Sequence, residues 1–119
     1  MLAKLGSLTG CKACLPDYRL APEHPFPAAL EDAQASYHDL LCQGYQPENI
    51  VLGGDSAGGG LALALLHSLL SQGQASPAGI FCFSPLTDLT FSGLSLHSNA
   101  RSDVVLPLVR ARDVGQMYL

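Results

Sequence analysis

Between residues 53 and 60 the chain carries five glycines around one serine, in the stretch NIVLGGDSAGGGLALALLHSLL (49–70). Glycine loses more conformational freedom on folding than any other residue, so that density points to a backbone that only glycine permits. Within it, Gly54-Asp55-Ser56-Ala57-Gly58 fits G-x-S-x-G, after a short apolar segment and before a long apolar one. A strand that turns that sharply into a helix forces its serine into a strained conformation and lifts the hydroxyl clear of the sheet. Gly54 and Gly58 are expected to meet across the turn, where a β-carbon would clash, with Gly59 supporting them and Asp55 bonding neighbouring backbone. The helix N-terminus adds its positive end, and the Ala57 N–H is placed to stabilise an oxyanion. Ser56 is thereby the candidate nucleophile. A phosphate cradle would also use glycines at a helix N-terminus. Neither G-x-x-x-x-G-K-[ST] nor G-x-G-x-x-G occurs here.

The segments around this turn alternate. Residues 1 to 9 read as a helix closed by Gly10, and CKACLPDYRL (11–20) as a buried strand. APEHPFP (21–27) has three prolines in seven residues and is a stiff loop. At least one of its X–Pro bonds, after Ala21, His24 or Phe26, is expected to be cis. Ala29, Leu30, Ala33, Tyr37, Leu40 and Leu41 recur at helical spacing over 28–42. Pro27 suits the first helical position and Gly44 the C-terminal cap. Residues 49–53 form a strand, 57–71 a helix and 79–85 a further buried strand. A polar loop and a weaker helix from about Pro107 follow. The order implies an α/β fold with a parallel sheet of about three strands, 11–18, 49–53 and 79–84, the middle one central. Such apolar strands require helices on both faces.

Composition narrows the function. The chain has 119 residues, 48% of them hydrophobic and 13% charged, with a net charge of −4 and no basic run. That is core material for one domain and argues against a nucleic-acid partner. No apolar run reaches the ~18 residues of a membrane span, and the N-terminal residues lack a signal-peptide pattern, so a cytoplasmic chain without stable membrane insertion is expected. Cys11 and Cys14 form a CxxC with no second ligand pair, so no metal site is expected. Cys11, Cys14, Cys42 and Cys82 read as buried free thiols.

DYRLAPEHPFPAALED (17–32) followed by GDSAGG (54–59) closely resembles the hormone-sensitive-lipase-like family of α/β-hydrolases, the family IV esterases and lipases. FSPLTDLT (83–90) and SNARSDVVLP (98–107) look like the stretches that come next in those enzymes, with residues from about 90 to 119 resembling the start of their cap. The resemblance implies a cofactor-free carboxylic-ester hydrolase on the α/β-hydrolase fold, with Ser56 as nucleophile, the Ala57 N–H in the oxyanion hole, and a small ester as substrate. Tyr18, Arg19 and Glu23 would brace the loop beside the site.

The family's HGGG-type loop, DPL acid motif and later histidine have no match in this sequence, which reads as a central slice of a larger hydrolase. The triad order Ser, acid, His leaves Asp88 and His97 as the in-order partners of Ser56. His67 stands 11 helical residues from Ser56, about 16 Å along the axis. Two functions follow. One is a serine esterase working through an acyl-enzyme on short acyl esters. The other is a catalytically silent fragment or pseudoenzyme that serves as a binding or assembly module. A homo-oligomer or partner chain would cover the open sheet edges.

Overall fold

The computed structural model describes residues 1–105 and 108–119, and gives the backbone alone for 108–112. Its elements are α1 (Leu2–Thr9), α2 (Ala28–Cys42), a 3₁₀ turn (Pro47–Asn49), β1 (Val51–Asp55), α3 (Ala57–Ser71), β2 (Gly79–Phe83), α4 (Leu94–Ser98) and α5 (Leu108–Tyr118). Pro107, the expected start of the last helix, lies outside the described residues. β1 and β2 run parallel, in register from Val51 opposite Gly79 to Asp55 opposite Phe83, with α3 as the crossover between them.

The two long helices end as their glycines dictate. Gly44, at φ 95°, donates to Leu41 O while Tyr45 N donates to Leu40 O, and Gly73 and Gln74 repeat the pattern after α3. Both are Schellman closures, which satisfy carbonyls that the helix leaves without partners. Pro27 sits one position earlier than expected, as the residue preceding α2. The Ala21–Pro22 and Phe26–Pro27 bonds are cis.

The core lies between α2, α3 and the start of β1. Ala33 and Tyr37 meet Ile50, Leu65 and Leu69, with Leu30, Leu52 and Leu61 at the margin. The Tyr37 hydroxyl donates to Ala75 O at 3.0 Å, so this ring is buried with its polar end satisfied. Burial of each large side chain here stabilises by about 1.5–3 kcal/mol.

Two expectations about the sheet are corrected. Residues 11–18 form no strand and pair with none, so the sheet has two strands among the described residues and β1 is not central. A strand exists only through its neighbour's N–H and C=O groups, and no described backbone group hydrogen-bonds to the backbone of residues 11–18 to supply them. The sheet is also covered on one face only. Leu52, Ile80 and Cys82 are partly buried, whereas Val51, Phe81 and Phe83 on the opposite face are 58%, 36% and 46% exposed. The molecule exposes 8177 Å²; a compact protein of its mass exposes roughly 6,200 Å². The cysteines follow the same correction. All four are free, but Cys11, Cys14 and Cys42 are exposed and Cys82 is half-buried. Segment 11–18 has no covering layer to bury its two thiols.

Candidate active site

β1 ends at Asp55, α3 begins at Ala57, and Ser56 makes the whole turn at φ 55°, ψ −119°. Positive φ on a residue with a β-carbon costs on the order of 1–3 kcal/mol and persists only where its surroundings enforce it. Here they do. The Ser56 N–H donates to Phe83 O at 2.9 Å, and the Ser56 carbonyl accepts from Gly59 N, Gly60 N and Leu86 N at 3.0, 3.1 and 2.9 Å. The turn that leaves β2 therefore grips the serine backbone from both sides. The side chain is exposed, and its hydroxyl has no hydrogen-bond partner among the described residues.

The glycines divide by cause. A β-carbon on Gly54 would lie 2.1 Å from Gly58 O, and one on Gly60 would lie 2.2 Å from Leu86 O. Both positions let two backbones approach closer than any side chain allows. A β-carbon on Gly59 would lie 3.0 Å from the Pro85 side chain. Gly58 differs from expectation, since a β-carbon there meets nothing within 4 Å. The crowding belongs to Gly54, whose missing side chain makes room for the Gly58 peptide. Asp55 also departs from its expected role: it is exposed, and its carboxylate makes no hydrogen bond among the described residues.

A strand, a helix and a second parallel strand, joined by a sharp serine turn, form a framework that is shared with proteins of known family. The family model of the alpha/beta hydrolase fold matches residues 1–119. The chain belongs to that family. A Streptomyces hygroscopicus protein named acetyl-hydrolase is 42% identical over 115 residues, which are 97% of this chain and 38% of that protein. The solved structure of an esterase/lipase from an uncultured bacterium matches 99% of this chain and 39% of its own, at 42% identity and a TM-score of 0.91. An esterase of the bacterial hormone-sensitive lipase family matches 87% of this chain and 35% of its own, at 48% identity and a TM-score of 0.83. These relatives place the chain among the hormone-sensitive-lipase-like hydrolases. It spans a little over a third of the length of the curated relatives it matches.

In this hydrolase-fold chain the remaining sequence candidates are dispersed. Asp88 accepts from the N–H and hydroxyl of both Thr90 and Ser92. Those bonds, the Thr90 hydroxyl first, hold its carboxyl well below the usual carboxylate range. Asp88 thus organises the turn after β2. His97 is exposed in α4, and no hydrogen bond joins it to Asp88 or Ser56 among the described residues. His67 is exposed on α3, and His38 pairs with Gln74 at 2.7 Å. No His/Cys/Asp/Glu cluster able to hold a metal occurs among the described residues, and no described helix is long and apolar enough to cross a membrane.

The loop before α2 is braced as the resemblance implied for Arg19. Its guanidinium grips Asp32 through two nitrogens at 2.9–3.1 Å, reaches Glu31 at 3.0 Å and donates to Ala28 O at 3.3 Å. The Arg19 N–H adds a fourth contact to Asp32 at 2.8 Å. Arg19 lowers the Asp32 pKa. Sequence reasoning missed the grip of Phe83, Pro85 and Leu86 on the elbow. Its one signal was Pro85, two residues past Phe83, which cannot extend a ladder.

Proposed function

We propose that the chain supplies the nucleophile elbow of a serine carboxylic-ester hydrolase. The Ser56 oxygen attacks the acyl carbon of a small, short-chain ester, its proton passes to a base, and the negative carbonyl oxygen accepts from the Ala57 N–H. The alcohol then leaves with a proton, and water releases the acid from the acyl-enzyme. One observation carries this reading: Ser56 adopts φ 55° at the N-terminus of α3, with an exposed and unpartnered hydroxyl. Gly59 and Gly60 donate to the Ser56 carbonyl, whereas Ala57 and Gly58 open the helix with no carbonyl one turn back to accept their N–H groups. Those two donors are available to an oxyanion, and their direction along the helix favours negative charge. The relatives named acetyl-hydrolase and esterase support an ester substrate.

The base and the acid that orients it are not among the groups that the described residues place beside Ser56. In serine hydrolases, loss of triad members costs on the order of 10⁴–10⁶ in rate. The test is reaction of the full protein with a fluorophosphonate probe, beside Ser56→Ala, together with hydrolysis of acetate, butyrate and decanoate esters. Labelling confined to Ser56, with faster turnover of the shorter esters, is the expected result. A folded protein that neither labels at Ser56 nor hydrolyses esters would overturn the reading in favour of a silent binding module.

A further inference from the structure

Three described residues other than glycine have positive φ: Ser56 at 55°, Ser84 at 43° and Phe91 at 52°. Phe91 is explained by packing, because it is 6% exposed and its ring lies against Gly115. Ser84 has no such explanation. It is exposed, and its hydroxyl has no hydrogen-bond partner among the described residues. Glycine would adopt the same backbone without strain.

Its place in the fold is specific. Asp55 and Phe83 are the last pair of the ladder, so Ser56 and Ser84 leave the sheet side by side at its carboxyl end. Adjacent strands lie about 4.8 Å apart, within reach of a group bonded to the neighbouring serine. The backbone on both sides of Ser84 is held, by Phe83 O accepting from Ser56 N and by Leu86 N donating to Ser56 O, each at 2.9 Å. Strained residues cluster at functional sites, and this one stands beside the strained Ser56.

We propose that Ser84 is a substrate-binding residue of the same site, its hydroxyl donating a hydrogen bond to the ester group held at Ser56. This rests on the reading of Ser56 as nucleophile. No covalent step involves Ser84, and its hydroxyl returns to solvent when product leaves.

Two substitutions separate hydroxyl from backbone. Ser84→Ala removes the hydroxyl and keeps the β-carbon at positive φ, while Ser84→Gly removes the hydroxyl and relieves the strain. In the full protein, both are expected to lower kcat/KM on a short-chain ester by about 3–10-fold, the loss set by one neutral hydrogen bond. Ser84→Gly is expected to unfold at the wild-type temperature or above. Unchanged kcat/KM in Ser84→Ala, with Ser56→Ala inactive, overturns the Ser84 contact and leaves the nucleophile standing. A loss in Ser84→Gly alone assigns the effect to the backbone and likewise overturns it. If Ser84→Ala does not fold, Ser84→Gly decides: wild-type kcat/KM there overturns the contact, and a 3–10-fold loss with an unchanged unfolding temperature upholds it. Hydrolysis that survives Ser56→Ala overturns the nucleophile and this inference with it.

Discussion

Gly58 and Gly60 sit two residues apart at the start of α3, yet adding a methyl group to each should act in opposite directions. At Gly60 the new carbon would stand 2.2 Å from Leu86 O and 3.3 Å from the Leu86 carbonyl carbon, both backbone atoms. An unstrained C···O contact is about 3.3–3.6 Å, so the helix and the β2-exit turn must separate by roughly 1 Å. Overpacking of this kind costs about 1–3 kcal/mol. Separation also stretches the Leu86 N to Ser56 O bond, worth about 0.5–1.5 kcal/mol. Alanine's helix preference returns about 1 kcal/mol. The balance for Gly60→Ala is a loss of roughly 1–3 kcal/mol. At Gly58 nothing stands within 4 Å, so only the helix preference remains and Gly58→Ala should gain up to about 1 kcal/mol. For a chain of this length each kcal/mol moves the unfolding midpoint by roughly 3–6 °C. Thermal unfolding followed by far-ultraviolet circular dichroism, at micromolar concentration, should separate the two variants by ~3 °C or more. Equal midpoints would refute the claim that Leu86 seals the elbow from outside the helix.

Arg19 lowers the Asp32 pKa in the folded chain, so this carboxylate stabilises the fold above its unfolded value of about 4 and ceases to do so as pH falls through the lower folded value. Urea midpoints between pH 3 and 7 should therefore fall on acidification in the wild type and fall less in Asp32→Asn; parallel curves would remove Asp32 from the balance. A thiol titration with an aromatic disulfide should show three fast groups, Cys11, Cys14 and Cys42, and one slow group, Cys82, whose sulfur lies 3.7 Å from Gly59 O under α3. Four fast thiols would mean that α3 does not hold against β2.

The parts of this fold that sequence makes legible are those whose cause lies within a few residues. Helix α2 shows its apolar spacing from Ala29 to Leu41 and its closing glycine at 44, and the structure returns the same span. The strained serine is legible for the same reason, because Gly54 and the apolar run before it belong to one short turn. What was not legible depends on neighbours far along the chain. CKACLPDY has the apolarity of a strand, but pairing is a property of two segments, and apolarity in one says nothing of the other. The exposure of Cys11 and Cys14 follows from that same unpaired segment. Gly58 and Gly54 look equivalent in G-x-S-x-G, but in the folded turn only Gly54 is crowded. The clamp of Phe83 and Leu86 on Ser56 is non-local in the same sense, joining residues about thirty positions apart.

This division between local and non-local causes also separates the two halves of the chemistry. The proposed nucleophile needs one strained residue, a close-approach glycine and the first N–H of a helix, and residues 54–60 carry all of them. Its backbone is then locked by a second strand that follows one crossover later, through Phe83 and Leu86. The base has no such local recipe, since an imidazole must arrive at the serine hydroxyl from a distant segment at a distance of about 2.6–3.2 Å. None of the described histidines makes that bond, and Asp88 spends its oxygens on Thr90 and Ser92. An elbow can thus be fully formed without being activated, because its geometry is stabilised by backbone hydrogen bonds that are independent of any histidine. Ser56 can hold φ 55° in an inert chain as well as in an active one, so elbow geometry and reactivity have to be measured as two separate properties.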